Sequence, residues 1–106
     1  MPQMPQGTLD LLILQTLSTK PRHGYAIARW IEDSTDDVLA VQEGALYPAL
    51  ARLQRQGWIQ AEWAISELNK KVKVYELTAS GQTELERRTL NWQALAGAVT
   101  KVFDAR

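Results

Sequence analysis

The chemistry available in this sequence is carried by basic side chains, and little of it could be catalytic. The single histidine, His23, stands beside Gly24 at the start of a helical pattern. No Ser/His/Asp, Cys/His or metal-ligand spacing surrounds it, so it reads as a helix cap or a phosphate-side contact. Glu84 and Glu86 lie among arginines and read as solvated surface, and no glycine-rich phosphate loop is present. An enzyme is not expected, and neither a cofactor nor a metal is implied. Between Gln42 and Lys73, five basic residues (Arg52, Arg55, Lys70, Lys71, Lys73) face three acidic ones (Glu43, Glu62, Glu67). A local excess of cations of this kind is suited to contacting phosphates.

The whole chain bounds how far that reading can go. Its 106 residues suit one small domain with a modest core. Twelve basic and twelve acidic side chains cancel, so nucleic-acid binding would have to rest on local patches. There is no cysteine, which excludes disulfides and thiolate zinc sites and fits a reducing cytoplasm. The opening MPQMPQG has no basic start, and no stretch approaches the roughly 18 unbroken apolar residues of a membrane span. A soluble, unprocessed protein without membrane contact is expected.

The elements that must position the cations follow from periodicity. TLDLLILQTLSTKP sets Leu9, Leu12, Ile13 and Leu17 on one helical face, with Pro21 shortly after the end. Leu11 and Leu14 fall on the opposite side, so this helix is expected to be buried on two sides, one of them against a partner chain. HGYAIARWIEDS turns Ile27, Trp30 and Ile31 inward and leaves Tyr25 and Arg29 outward. In EGALYPALARLQRQGWI, Leu46, Leu50 and Leu53 give a third helix its core face, and Gly57 stops it. Pro48 predicts a distorted or late-starting first turn. WIQAEWAIS alternates Ile59, Ala61, Trp63 and Ile65 against the intervening residues, and VKVYELT is β-branched and aromatic, so two strands of a ribbon are expected around SELNKK.

Three helices followed by a ribbon with a basic tip is the order of a winged helix-turn-helix, whose third helix enters the major groove while the second crosses the backbone. The outward face of the third helix carries small residues, Gly44, Ala45 and Ala51, which allow close approach, beside Arg52 and Arg55, which reach phosphates. Gln42, Tyr47 and Pro48 border that face. Tyr25 and Arg29 on the second helix and Lys70, Lys71 and Lys73 on the ribbon complete the candidate DNA-contacting set.

These segments resemble the PadR-like family of transcriptional regulators. GTLDLLIL, HGYAIARWI, EGALYPALARLQRQGWI and VYELTASG carry the resemblance in order and spacing, from about Gly7 to Val102, and LYPAL followed by GWI is its most specific part. The resemblance implies a dimeric DNA-binding regulator, usually a repressor, with a winged-helix domain and a C-terminal dimerisation helix. It gives Tyr25, the start of the third helix and the wing lysines the DNA-contacting roles. Gln42 and Glu43 stand where a serine or threonine often precedes the glycine, and the wing carries lysines where arginines are common.

Residues 1–77 are read as the DNA-binding domain and 78–106 as the dimerisation helix. Leu85, Trp92 and Val99 repeat every seven residues, Leu95 and Val102 fill alternate seam positions, and Arg88 is the one charged lapse. Thr78 is the expected cap, with Gly81 an unfavourable residue in the first turn. The homodimer interface is expected to comprise Leu11, Leu14, Leu85, Trp92, Leu95, Val99 and Val102. Trp92 near a twofold axis would meet its own copy, and the small residues around it, Ala96 among them, leave room for a planar aromatic effector. In drug-responsive members of the family that the chain resembles, tryptophans from both subunits stack on such a ligand. The alternative reading from another class is a winged-helix module that uses the third helix to bind protein, and salt dependence separates the two.

Overall fold

The computed structural model describes residues 2–106. In chain order the elements are α1 (Thr8–Thr19), β1 (Arg22–His23), α2 (Gly24–Ser34), α3 (Glu43–Arg55), β2 (Ile59–Ile65), β3 (Lys71–Leu77) and α4 (Ala79–Asp104). All pairings are antiparallel in the order β1-β3-β2, with Ile59 opposite Leu77, Ile65 opposite Lys71 and Arg22 opposite Tyr75. The expected ribbon, β2 and β3, therefore forms one edge strand and the central strand of a three-stranded sheet. A two-residue strand is too short to show alternation, which is why β1 was not foreseen.

The apolar repeats converge on one core. Ile13, Leu14 and Leu17 of α1 meet Ile27 and Ile31 of α2, Leu46, Leu50 and Leu53 of α3, and Ile59, Tyr75 and Leu85 from the ribbon and α4. Burial raises the Tyr75 phenol above its ordinary pKa, and the nearby Tyr47 adds to the shift. Helix α1 packs on α2, α3 and α4 together, which accounts for its nearly all-round apolar surface. Two residues expected at the dimer interface lie in the core instead. Leu14 is 0% exposed and Leu85 4%, both within the core of the single chain, so neither is free to meet a partner.

Helix α3 begins at Glu43 and continues through Pro48. Of the distorted or late-starting first turn expected from the proline, the late start is not found. The Gln42 carbonyl accepts from both Ala45 and Leu46, at 3.0 and 2.9 Å, so the first turn is tightened instead. The bond that Pro48 cannot donate would have gone to the Gly44 carbonyl, and Gly44 is exposed to water. Gly57 ends the helix with φ at +77°, a conformation that favours glycine.

The junction between ribbon and α4 is the tightest point of the fold. Thr78 Oγ1 accepts from the Gly81 N–H at 3.0 Å, as expected of a cap, and itself donates to the Gly57 carbonyl at 2.6 Å. Ser80 donates to the same carbonyl, and the Thr78 N–H donates to the Trp58 carbonyl at 3.1 Å. A Cβ on Gly81 would lie 1.9 Å from the Trp58 oxygen, so the glycine that weakens the helix by propensity is the one that lets α4 approach the ribbon. One turn on, Glu84 is not solvated surface. Its carboxylate accepts from Arg87 at 2.7 Å and Arg88 at 2.6 Å, and the Arg87 hydrogen bond above all lowers its pKa to about 2. Arg88 also lies 5.1 Å from the Trp58 ring centre, so the charged lapse in the heptad folds back onto its own domain. Beyond it α4 leaves the core, and the molecule is 59 Å long but only 29 and 21 Å across.

Candidate nucleic-acid interface

The outward face of α3 is open. Gly44, Ala45, Tyr47, Pro48, Ala51, Arg52 and Arg55 are all exposed, as is Gln42, whose side chain caps nothing. A Cβ on Gly44 would meet no atom within 4 Å. Nothing inside the fold requires that glycine, although a helical glycine costs roughly 0.5–1 kcal/mol relative to alanine. At Gly24 the reason is internal, because a Cβ there would press on the Tyr47 ring at 3.1 Å. Gly24 thus lets Tyr47 stand between the start of α2 and the ribbon. His23 is the cap of α2, its Nδ1 accepting from the Ala26 N–H at 3.2 Å, and its ring stacks towards Tyr25 at 6.4 Å.

An open cleft of about 1270 Å³ runs between these residues and the ribbon. It brings together Tyr25, Tyr47, Lys70, Lys71 and Lys73 of the expected set and adds Trp63. Alternation had grouped Trp63 with Ile59 and Ala61, but the ribbon outruns the core and the ring is 60% exposed. Lys71 and Lys73 hold their ammonium groups 5.0 and 5.6 Å from its centre. An exposed ring with two cations on its face is suited to a sugar–phosphate strand, because the lysines can move to phosphates while the ring packs on sugar. The paired register, Trp63 opposite Lys73 and Ile65 opposite Lys71, was the signal that could have found it. At the tip, Ser66 N–H donates to the Lys70 carbonyl at 2.8 Å and Asn69 adopts φ +58°, so Lys70 is presented on a defined turn.

The remaining expected contacts lie outside the cleft and two are engaged. Arg29 pairs along its own helix with Asp33 at 3.1 Å, an exposed pair that costs little to exchange for phosphate, and with the part-buried Glu32 at 3.6 Å. Arg52 pairs with Asp10 of α1 at 2.9 Å. Arg55 is exposed at the end of α3.

A second concavity, about 400 Å³, lies between the chain before α1, α1 itself and α4. Thr8, Leu11, Arg88, Asn91, Trp92 and Leu95 line it. Ala96 is partly buried and lies outside its lining. Trp92, Leu95, Val99 and Val102 are all exposed on α4. Among the described residues no three His, Cys, Asp or Glu side chains are grouped to hold a metal, and no helix is long and apolar enough to cross a membrane.

A family model described as the transcriptional regulator PadR-like family matches residues 13–87. The chain belongs to that family. Among solved structures, a PadR-like transcriptional regulator from Bacillus cereus is 28% identical, with a TM-score of 0.83 over 99% of this chain and 100% of the other. A transcriptional regulator from Clostridium thermocellum is likewise 28% identical, with a TM-score of 0.83 over 91% of this chain and 93% of the other. An uncharacterised protein from Lysinibacillus sphaericus is 30% identical over 87 residues, which is 82% of this chain and 80% of that protein. The four helices, the small sheet and the long α4 are those of a PadR-like winged-helix transcriptional regulator, and the family's role is regulation through DNA rather than catalysis.

Proposed function

We propose that this PadR-like regulator acts as a cytoplasmic homodimer, each protomer reading one arm of a roughly palindromic operator, and that it represses. Residues 1–77 form the DNA-binding unit in this reading and 78–106 the dimerisation helix. The observation that carries it is the exposed α3 face, where Gly44 has no internal reason to be glycine, next to a cleft that gathers Tyr25, Tyr47 and the ribbon lysines. Gly44, Ala45, Tyr47 and Arg52 lie at the major groove, Gln42 and Pro48 at its edge, and Arg55, Arg29 and Tyr25 on the backbone. Trp63 and the lysines follow the adjoining strand. Two copies double a local charge excess too small to hold DNA in one chain.

Lys70 supplies the test. Its replacement by alanine weakens binding to all duplexes about equally and reduces the slope of log affinity against log salt by about one, the signature of one lost phosphate contact. Gel shifts across a salt series, using the DNA upstream of this protein's own gene, measure both. Altered sequence preference with an unchanged slope would make Lys70 a base reader. Binding to no duplex at any salt would leave the winged-helix module that binds protein as the reading to pursue.

The groove at Trp92 is proposed as the effector site. In a symmetric dimer the two indoles come near the axis, and a planar ligand between them favours one spacing of the subunits over another. Operator affinity then changes through linkage. A planar aromatic cation or phenolic acid is expected to quench tryptophan fluorescence with saturation and to loosen operator binding. Trp92→Phe removes the quenching while the dimer persists. If compounds of both classes leave fluorescence and operator affinity unchanged, the groove is a filled seam and the regulator acts without an effector.

A further inference from the structure

We infer that Asp10 is a positioning residue for DNA reading, holding the Arg52 guanidinium in place on the recognition face from a neighbouring helix. The inference rests on α3 being that face. Asp10 sits in the first turn of α1, forty-two residues away in sequence from the arginine it binds. Its Oδ1 accepts from Arg52 Nη2 at 2.9 Å, and its side chain is only 14% exposed while that of Arg52 is 51% exposed. The carboxylate is thus the fixed member of the pair and the guanidinium the presented one.

A guanidinium carries five N–H donors in a rigid fork. With one nitrogen held by Asp10, the others remain free on the flank of the small-residue face, aimed by the anchor rather than by a flexible stem. Free arginines lose rotamer entropy on binding, and an anchor that has already taken that loss favours a specific geometry over a general attraction. Arg55, on the same face, has no ion-pair partner among the described residues. The two arginines are therefore built differently, Arg55 for any phosphate and Arg52 for one direction. Thr8 and Leu11, the neighbours of Asp10 on α1, line the groove at Trp92. A shift of α1 there moves the anchor of Arg52.

The test uses the full chain, the best duplex selected by wild-type protein from a random library, and a duplex of unrelated sequence. Asp10→Asn keeps the side-chain shape and removes the charge. It is expected to lower the ratio of specific to non-specific affinity about tenfold, while non-specific affinity rises slightly because a negative charge has left the interface. Arg52→Gln lowers the same ratio, and the double variant is no worse than Arg52→Gln alone. Asp10→Glu, which keeps the charge, restores part of the discrimination. A fall of both affinities in parallel in Asp10→Asn, with a lowered melting temperature, would assign Asp10 to the fold and overturn the inference. An unchanged ratio in Asp10→Asn where Arg52→Gln lowers it would overturn it as well, with the DNA reading intact. If Arg52→Gln leaves the ratio unchanged, or the library yields no preferred duplex, the reading of α3 fails and Asp10 has nothing to position.

Discussion

Alanine at position 81 is expected to destabilise the domain by about 3 kcal/mol or more, beyond the usual range for an added methyl group. The new Cβ would stand 1.9 Å from the Trp58 carbonyl oxygen and 2.8 Å from Leu77 Cδ1. Leu77 can rotate, but the carbonyl belongs to the backbone at the foot of β2. Relief requires α4 to withdraw, which breaks the Thr78 bond to Trp58 and the Thr78 and Ser80 bonds to Gly57. Domains of this size are stable by roughly 5–15 kcal/mol, so much of the total is at stake. Urea unfolding followed by tryptophan fluorescence measures it, with Gly44→Ala as the comparison, since a Cβ there meets nothing. That second variant should gain about 0.5–1 kcal/mol. Equal midpoints for Gly81→Ala and wild type would mean that the junction is looser than its hydrogen bonds imply.

Deletion of everything after Thr89 has the larger functional effect. The truncated chain keeps Leu85 and Arg88, and with them the part of α4 that packs on the core. It loses Trp92, Leu95, Val99, Val102 and Phe103, exposed apolar side chains on the protruding half. Light scattering is expected to report monomers or aggregates, and operator affinity to fall by roughly two to four orders of magnitude as two linked arms become independent. A truncated chain that remains a stable dimer would remove α4 as the means of association.

The parts of this fold that were legible in the sequence are those whose signal is local. Leu46, Leu50 and Leu53 declare a helix with one buried face, and Ile27 and Ile31 do the same for α2, because helical period and core face coincide. Thr78 reads as a cap for the same reason. Pro48 announces a disturbed first turn but not where the helix starts, since the cost of its missing donor depends on whether the orphaned carbonyl can be solvated, and Gly44 is exposed. Helix α1 was readable as buried on two sides, but which covering came from the chain itself was not. Leu14 and Leu85 accordingly went to an interface when they belong to the core. In the site, charge and small residues on α3 were visible, whereas Trp63 was hidden by a strand pattern that does not say where the core stops. Arg29 with Asp33 follows from helical spacing, but Asp10 with Arg52 is a contact between elements, and no period in the chain announces it.

The rooted base of α4 makes the helix a lever. Its 26 residues span about 39 Å at 1.5 Å per residue, and its first turn is pinned to the end of α3 and the start of β2. Leu85 and Arg88 hold the next two turns to the core, so the free arm is the part beyond Arg88, about 24 Å at 1.5 Å per residue, and a tilt of about 5° there carries the far end through about 2 Å. In a dimer joined along α4, the angle at which the helix leaves the core would set how far apart the two α3 helices sit, against a DNA repeat of about 34 Å. The spacing of the reading helices in such a dimer would then be set away from the reading surface, by the packing that fixes the base of α4.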